Sequence, residues 1–161
     1  MDRTLEAARG FIELGMWKDA AEEIENLPPE RKTAIDVLEV RIEIYREAKA
    51  WRLMEVVARE LLRQMPEHPA PWVHLAYAVR RAESLSEAKK VLMEAMDHFP
   101  DDATIHFNLG CYLCQLGDYK FAKAHVGQAI ELNLDFRSKA LDDPDLEPLW
   151  AEWSGEMGGK K

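Results

Sequence analysis

One spacing organises most of this sequence: residue types recur every 34 residues between residues 1 and 136, without an insertion. A large apolar residue recurs at Trp17, Trp51, Leu85 and Tyr119, and a residue of modest size, usually alanine, at Ala20, Met54, Ala88 and Ala122. A fixed period of this length indicates that each unit is one supersecondary element, which buries its apolar face against its neighbours. The sequence therefore predicts four units: 1–34, 35–68, 69–102 and 103–136.

Two helix-length segments fit into each unit. In the fourth unit, Leu109, Leu113 and Leu116 recur at helical spacing. Helix ends are marked by Gly15 and Gly117, where a left-handed residue is expected. The sequence thus predicts an all-α fold built from helical hairpins.

Other terminal signals refine the helix boundaries. Asp102 is placed to cap a helix that opens at Ala103, and Ser84 with Glu87 has the spacing of a capping box. The second helix of the first unit should stop near Asn26, because Pro28 and Pro29 follow.

The third and fourth units resemble the tetratricopeptide repeat (TPR) family, whose 34-residue unit wants Trp, Leu, Gly, an aromatic, Ala, a large apolar residue, Ala and Pro at set offsets. The third unit has Trp72, Leu75, Ala76, Val79, Ala88, Leu92, Ala95 and Pro100; the fourth has His106, Leu109, Gly110, Leu113, Ala122, Val126, Ala129 and then Leu134 in place of proline. Units one and two match less closely. The resemblance covers 136 of 161 residues and implies a right-handed helical-hairpin solenoid that binds other proteins.

Residues 137–161 fall outside the repeat and are predicted to cap the last unit, since a terminal repeat has no neighbour to cover it. Asp135 is expected to cap a short helix through Leu141, which Pro144 ends. A second apolar face follows, made of Leu146, Leu149, Trp150 and Trp153. The last four residues, 158–161, are expected to be a frayed or disordered end.

Charge limits the classes of partner. The net charge of −9 disfavours nucleic acid and anionic membrane surfaces, because phosphate binding depends on clustered Lys and Arg. No run approaches the length of a spanning helix, and charged residues begin at Asp2, so neither a membrane segment nor a secretory signal is expected. Together with only two cysteines, this favours a cytoplasmic protein.

Catalytic and metal-binding patterns are weak. Cys111 and Cys114 have redox-like spacing but lie in mid-helix, whereas a reactive pair lies at a helix N-terminus. His106 occupies the family's Trp position and is expected to be a packing residue. The five histidines show no metal-ligand spacing on one helix. We therefore predict no cofactor, no metal and no enzymatic activity, and retain a metal- or redox-linked regulator at the two cysteines as an alternative.

The resemblance implies that repeat positions 5, 9, 12 and 13 of each first helix line a concave groove. Those positions are Leu5, Arg9, Ile12 and Glu13 in the first unit; Glu39, Glu43, Arg46 and Glu47 in the second; Val73, Tyr77, Arg80 and Arg81 in the third; and Phe107, Cys111, Cys114 and Gln115 in the fourth. Such a groove combines an acidic stripe with an apolar, aromatic floor. In the alternative interpretation, the arginines neutralise the glutamates, and neighbouring residues or the C-terminal tail cover Tyr77 and Phe107.

The leading functional expectation is an adaptor or small chaperone-like binder that holds a segment with apolar anchors and basic residues. Glutamates at the groove's first two positions in unit two repel an acidic C-terminal tail, which the family's carboxylate clamp would bind. The alternative is a self-assembling protein that pairs through the first repeat, with Phe11 or Leu14 exposed.

Overall fold

The structure, a computed structural model, describes residues 2–151. Within them the chain forms helices joined by short turns and contains no β-strand. The helices are α1 (Arg3–Glu13), α2 (Trp17–Glu25), α3 (Ile35–Glu47), α4 (Trp51–Gln64), α5 (Ala70–Ala82), α6 (Leu85–His98), α7 (Ala103–Gln115), α8 (Tyr119–Leu132) and α9 (Phe136–Asp142). Two 3-10 turns, Pro29–Arg31 and Pro144–Leu146, complete the pattern, and residues 147–151 are helical. The all-α prediction is confirmed.

Helix starts follow the spacing of the sequence. The second helix of each hairpin begins at Trp17, Trp51, Leu85 or Tyr119, at intervals of 34 residues. α2 ends at Glu25, next to Asn26, as the two prolines predicted. No helix among residues 2–151 is long and apolar enough to cross a lipid bilayer.

Left-handed residues occupy the turn inside three hairpins. Gly15 and Gly117 have φ of 74° and 84°, as predicted. Lys49, at the equivalent position of the second hairpin, has φ of 54°. An L-residue is disfavoured in this conformation, because its Cβ approaches the following carbonyl oxygen.

Side-chain caps begin several helices. The Ile105 amide donates to Asp102 Oδ1 at 2.9 Å, and the Glu87 amide donates to Ser84 Oγ at 3.1 Å. Glu87 pairs with Lys90 at 2.8 Å, so only the Ser84 half of the predicted capping box is seen.

The chain divides into two compact units between Ala82 and Glu83. The first holds α1–α5, and its core contains Leu5, Ala8, Ala20, Ile24, Val37, Val40 and Ile44. The second holds α6–α9 and residues 143–151, with a buried core that includes Leu92, Ile105, Leu109 and Val126. Small residues allow close packing within hairpins: a Cβ on Gly110 would lie 2.6 Å from Val126 Cγ2.

The C-terminal segment, residues 136–151, packs within the second unit against α7 and α8. Leu146 and Leu149 are completely buried, as the predicted apolar face required. The cap at Asp135 differs from the prediction: its side chain does not cap α9, and its amide instead donates to Asn133 Oδ1 at 3.0 Å. The predictions for Trp153 and for residues 158–161 lie outside the described residues.

Candidate functional site

The predicted groove residues of the first unit lie along α3 and α5. We call Glu39, Glu43, Arg46 and Glu47 of α3, together with Val73, Tyr77, Arg80 and Arg81 of α5, the acidic–aromatic face. Within each helix, the spacing of these residues places them on one side. Glu39, Arg46, Glu47 and Arg81 are exposed, and the other four are half-buried.

The glutamates of this face carry negative charge with little compensation. Glu43 Oε1 lies 3.7 Å from Arg9 Nε of α1, and both side chains are more than a third exposed. An ion pair of this kind adds at most about 1 kcal/mol of stability. Glu39 and Glu47 form no ion pair with any residue between 2 and 151. The face is therefore net acidic along α3.

Two aromatic rings, those of Tyr77 and Trp51, form contacts with each other and with arginines of this face. Tyr77 meets Trp51 of α4 edge-on, with ring centroids 5.6 Å apart. The Arg46 guanidinium lies 5.9 Å from the Tyr77 ring, and the Arg81 guanidinium lies 5.1 Å from the Trp51 ring. These two arginines therefore hold positive charge against ring faces, where the negative π-surface attracts it.

His74 contacts Arg46 of this face, and the sequence analysis did not predict this contact. Arg46 Nη2 lies 3.2 Å from His74 Nδ1, which must be unprotonated to accept this hydrogen bond. Burial, with a smaller contribution from the Arg46 charge, lowers the pKa of His74 to about 4. The imidazole is consequently neutral at physiological pH and positions Arg46 as an acceptor.

In the second unit, three of the four predicted groove residues on α7 are buried, and Gln115 is exposed. Phe107, Cys111 and Cys114 are 6%, 2% and 2% exposed. The Phe136 ring lies 5.0 Å from the Phe107 ring, and Gln115 Nε2 donates to the Asp145 carbonyl at 2.8 Å. Phe107 and Cys111 therefore do not present the open surface predicted for them. The physical reason is that the C-terminal segment packs against α7.

Cys111 has two carboxylates nearby. Its thiol lies 3.8 Å from Asp143 Oδ2. One possible ligand atom from each of Cys111, Asp143 and Asp145 lies within 4.8 Å of the other two, an arrangement that could hold a metal ion. A structural zinc site generally uses four protein ligands, and Asp143 already accepts the Asp145 amide at 2.9 Å. We therefore interpret these three residues as contacts that hold the C-terminal segment against α7. The absence of a metal stays a prediction.

His106 and His125 form a polar contact across α7 and α8. His106 is buried, as expected of a packing residue, and its Nε2 lies 2.6 Å from the Pro100 carbonyl oxygen. Nε2 must then carry a proton, and in this neutral tautomer of His106 Nδ1 accepts from His125 Nδ1, 3.0 Å away. Burial, followed by repulsion from His106, lowers the pKa of His125. The separation of 19 positions between the two histidines hid this pair from sequence reasoning.

A cavity of about 320 Å³ lies between α6, α7 and α8 in the second unit. Its lining is Lys89, Met93, Met96, Leu109, Leu113, Asp118, Phe121 and His125. None of these residues occupies a predicted groove position. The cavity is thus separate from the covered surface of α7.

Solved structures of several proteins share this fold. A thermophilic TPR protein of Thermus thermophilus is 19% identical, with a TM-score of 0.72 over 94% of this chain and 81% of that one. MamA of Desulfovibrio magneticus RS-1 is 18% identical, with a TM-score of 0.70 over 82% of this chain and 75% of that one. YrrB, described as a TPR protein with an unusual peptide-binding site, is 12% identical, with a TM-score of 0.61 over 91% of this chain and 80% of that one.

No protein-family model and no curated protein matches the sequence. At identities of 12% to 19%, the structural similarity establishes the fold and leaves the ligand open. The chain has a TPR-like fold, as its repeat pattern predicted.

Proposed function

We propose that this protein is a binding module that holds a segment of another protein on the acidic–aromatic face. The observation that carries the proposal is the exposure of Glu39 and Glu47 without ion-pair partners among the described residues, beside the half-buried ring of Tyr77. An open surface that combines unpaired glutamates with an aromatic ring favours a ligand with basic residues and apolar side chains. The ligand is therefore a segment with basic residues near apolar anchors.

The arrangement of the arginines supports this proposal over internal neutralisation. If Arg46 and Arg81 served to neutralise the glutamates of α3, their guanidinium groups would lie at carboxylates. They lie instead over Tyr77 and Trp51, and Arg46 also contacts His74. The negative charge of α3 consequently remains available to a basic partner.

Charge and ring should contribute to different steps of binding. Exposed charges steer the approach of a ligand and raise the association rate. Aromatic anchors in desolvated contacts commonly contribute about 2 kcal/mol or more, mainly through slower dissociation. In YrrB, a protein of the same fold, a peptide-binding site is described, which supports a peptide as the ligand class. We place this role in the cytoplasm and assign no catalytic step to it.

Selection of random displayed peptides on the purified protein tests the proposal. Peptides with Lys or Arg next to apolar residues should be enriched on the wild-type chain and lost on a Glu39→Lys, Glu43→Lys, Glu47→Lys variant. A matched control carries the same charge change on exposed glutamates of other helices, at Glu22, Glu94 and Glu131, and should keep the enrichment.

Surface plasmon resonance with an enriched peptide then separates the two contributions. The triple reversal on α3 should lower the association rate and its dependence on salt, because salt screens exposed charges. Tyr77→Ala should instead raise the dissociation rate. Peptides that bind all variants equally, or a failure to enrich basic apolar peptides, would remove the acidic–aromatic face as the binding site.

Self-association is a second candidate function, and one observation favours it. Leu14 is 73% exposed and Met16 is 41% exposed in the turn between α1 and α2. Phe11, the other residue expected there, is half-buried against the core of the first unit. Light scattering over a range of concentrations should show a rising mass that Leu14→Glu abolishes; a constant monomer mass excludes this candidate.

A further inference from the structure

Residues 143–150 have the form of a short linear ligand. Asp143 Oδ1 accepts the Asp145 amide at 2.9 Å and opens the 3-10 turn Pro144–Leu146. Leu146 and Leu149, three residues apart, are both completely buried. Trp150 Nε1 donates to the Ala140 carbonyl at 2.9 Å, which ties this stretch to α9. Two of its hydrogen bonds therefore lie within the C-terminal segment itself.

The surface that it covers corresponds to the binding positions implied by the repeat. On α7, residues 143–150 contact Cys111 and Gln115, at repeat positions 9 and 13. Phe107, at position 5, lies against Phe136 of α9 instead. Gln115 donates to a main-chain carbonyl, that of Asp145, at 2.8 Å. A side-chain amide that binds a main-chain carbonyl holds a peptide independently of its side chains. The apolar contacts then supply selectivity, as in groove recognition of peptides.

We propose that residues 143–150 are an intramolecular ligand, and that the α7 surface beneath them is a second binding site that a partner segment takes by displacement. The partner's chemistry follows from the occupant: a carboxylate-bearing turn followed by two apolar side chains three residues apart. Such a ligand is acidic, whereas the ligand proposed for the acidic–aromatic face is basic. The two proposals therefore stand or fall separately.

Tethering sets the condition for exchange. The covering segment is present at a high effective concentration, because it belongs to the same chain. The apparent affinity for a competing segment is therefore the intrinsic affinity multiplied by the fraction of molecules in which the site is open. Substitutions that weaken the buried contacts of Leu146 and Leu149 should raise that fraction. The α7 surface should then accept the same sequence supplied as a separate peptide.

Cys111 is a built-in reporter of displacement, because its thiol lies under Asp143 and is 2% exposed. The experiment uses the full chain with Cys114→Ser, so that Cys111 is the remaining thiol. In this background, Leu146→Asp with Leu149→Asp should release the segment, and modification of Cys111 by a thiol reagent should become at least about tenfold faster, since local opening then limits the reaction.

A synthetic peptide of residues 143–150 is then added in trans. It should slow the modification of Cys111 in the released variant towards the parent rate, and a peptide with the same two leucines changed to aspartate should not. Far-UV circular dichroism verifies that the variant keeps its helices. If it does not, Leu149→Ala replaces it under the same criteria.

Three results overturn the proposal. Modification at the parent rate in a folded variant would mean that the segment does not control access to α7. Fast modification that the wild-type peptide fails to slow would mean that the uncovered surface does not bind a separate segment. Protection of Cys111 in a concentration-dependent dimer of the parent chain would assign the site to a second copy and contradict a distinct partner.

Discussion

The first helices α3 and α7 place different residues at the same repeat positions, and their surfaces differ accordingly. Position 5 is Glu39 in α3 and Phe107 in α7; position 9 is Glu43 and Cys111. The α3 residues remain in contact with water, whereas the α7 residues lie under the C-terminal segment. Burying an unpaired carboxylate costs free energy, while burying a phenyl ring or a thiol gains it. Residue polarity thus determines which repeat can stay open.

The largest expected effect tests whether the two surfaces rest on equivalent cores. Leu75 and Leu109 are 34 residues apart and are 2% and 1% exposed. Leu75→Ala and Leu109→Ala should each lower the free energy of unfolding by about 2 to 5 kcal/mol, through lost burial and a residual cavity. Chemical denaturation followed by circular dichroism measures both. An unchanged midpoint for either variant would show that the repeat register is wrong.

Acid should destabilise the first unit through His74. The folded pKa of about 4 lies below the ordinary value of 6.5, so the unfolded chain binds more protons between these pH values. Stability from this group is complete above pH 6.5 and declines as the pH falls towards 4, by up to about 3 kcal/mol. Asn108 is the matched residue of α7, which suggests His74→Asn as the neutral replacement.

Denaturant titrations between pH 7.5 and 4.5 measure this effect. His74→Asn should flatten the pH dependence, and the part that remains should include His125, whose pKa is also lowered. The carboxyls with lowered pKa, Asp2, Glu25, Asp36 and Glu60, lose their contribution at lower pH, as the pH falls through their folded pKa. An undiminished dependence in the variant would mean that His74 is accessible to protons at ordinary pH.

Local structure was predictable because its causes are local. The starts of α2, α4, α6 and α8, the left-handed glycines and the cap at Asp102 each depend on a few neighbouring residues. The half-formed capping box at Ser84 shows the limit, since Glu87 pairs with Lys90 instead. Helix boundaries in this chain therefore follow from sequence with small errors.

The candidate sites were less predictable, because they depend on contacts between helices. An apolar residue such as Phe107 predicts either a binding floor or a covered surface, and the choice depends on where residues 136–150 pack. Likewise, the repeat pattern predicts a groove position for Arg46 but not its contact with His74, which joins residues 28 apart. Only the placement of α3 beside α5 reveals it.

Close packing behind α7 provides a third test. At repeat position 8, α5 has Ala76 and α7 has Gly110. A Cβ at Gly110 would lie 2.6 Å from Val126 Cγ2 and 3.2 Å from the Val126 amide nitrogen. Overpacking costs about 1 to 3 kcal/mol, and the better helix propensity of alanine offsets about 1 of these. Gly110→Ala should therefore destabilise by up to about 2 kcal/mol net.

The pair with Val126→Ala identifies the cause. If the clash dominates, Gly110→Ala should cost less in the Val126→Ala background than alone, which a double-mutant cycle of unfolding free energies measures. Additive costs would locate the problem in the backbone atoms of α8.

The smallest effect concerns the turn after each first helix, where α7 is followed by Gly117 and α3 by Lys49, both with positive φ. Left-handed geometry costs an L-residue about 1 to 2 kcal/mol. Glycine avoids this cost, but its greater conformational freedom stabilises the unfolded chain and offsets part of the gain. Lys49→Gly should therefore stabilise by about 0.5 to 1 kcal/mol, whereas Lys49→Ala, which keeps a Cβ, should not. Gly117→Lys should destabilise by a similar amount. Thermal and chemical denaturation of the three variants measure these differences, and a loss of stability in Lys49→Gly would mean that the lysine side chain contributes more than its backbone strain costs.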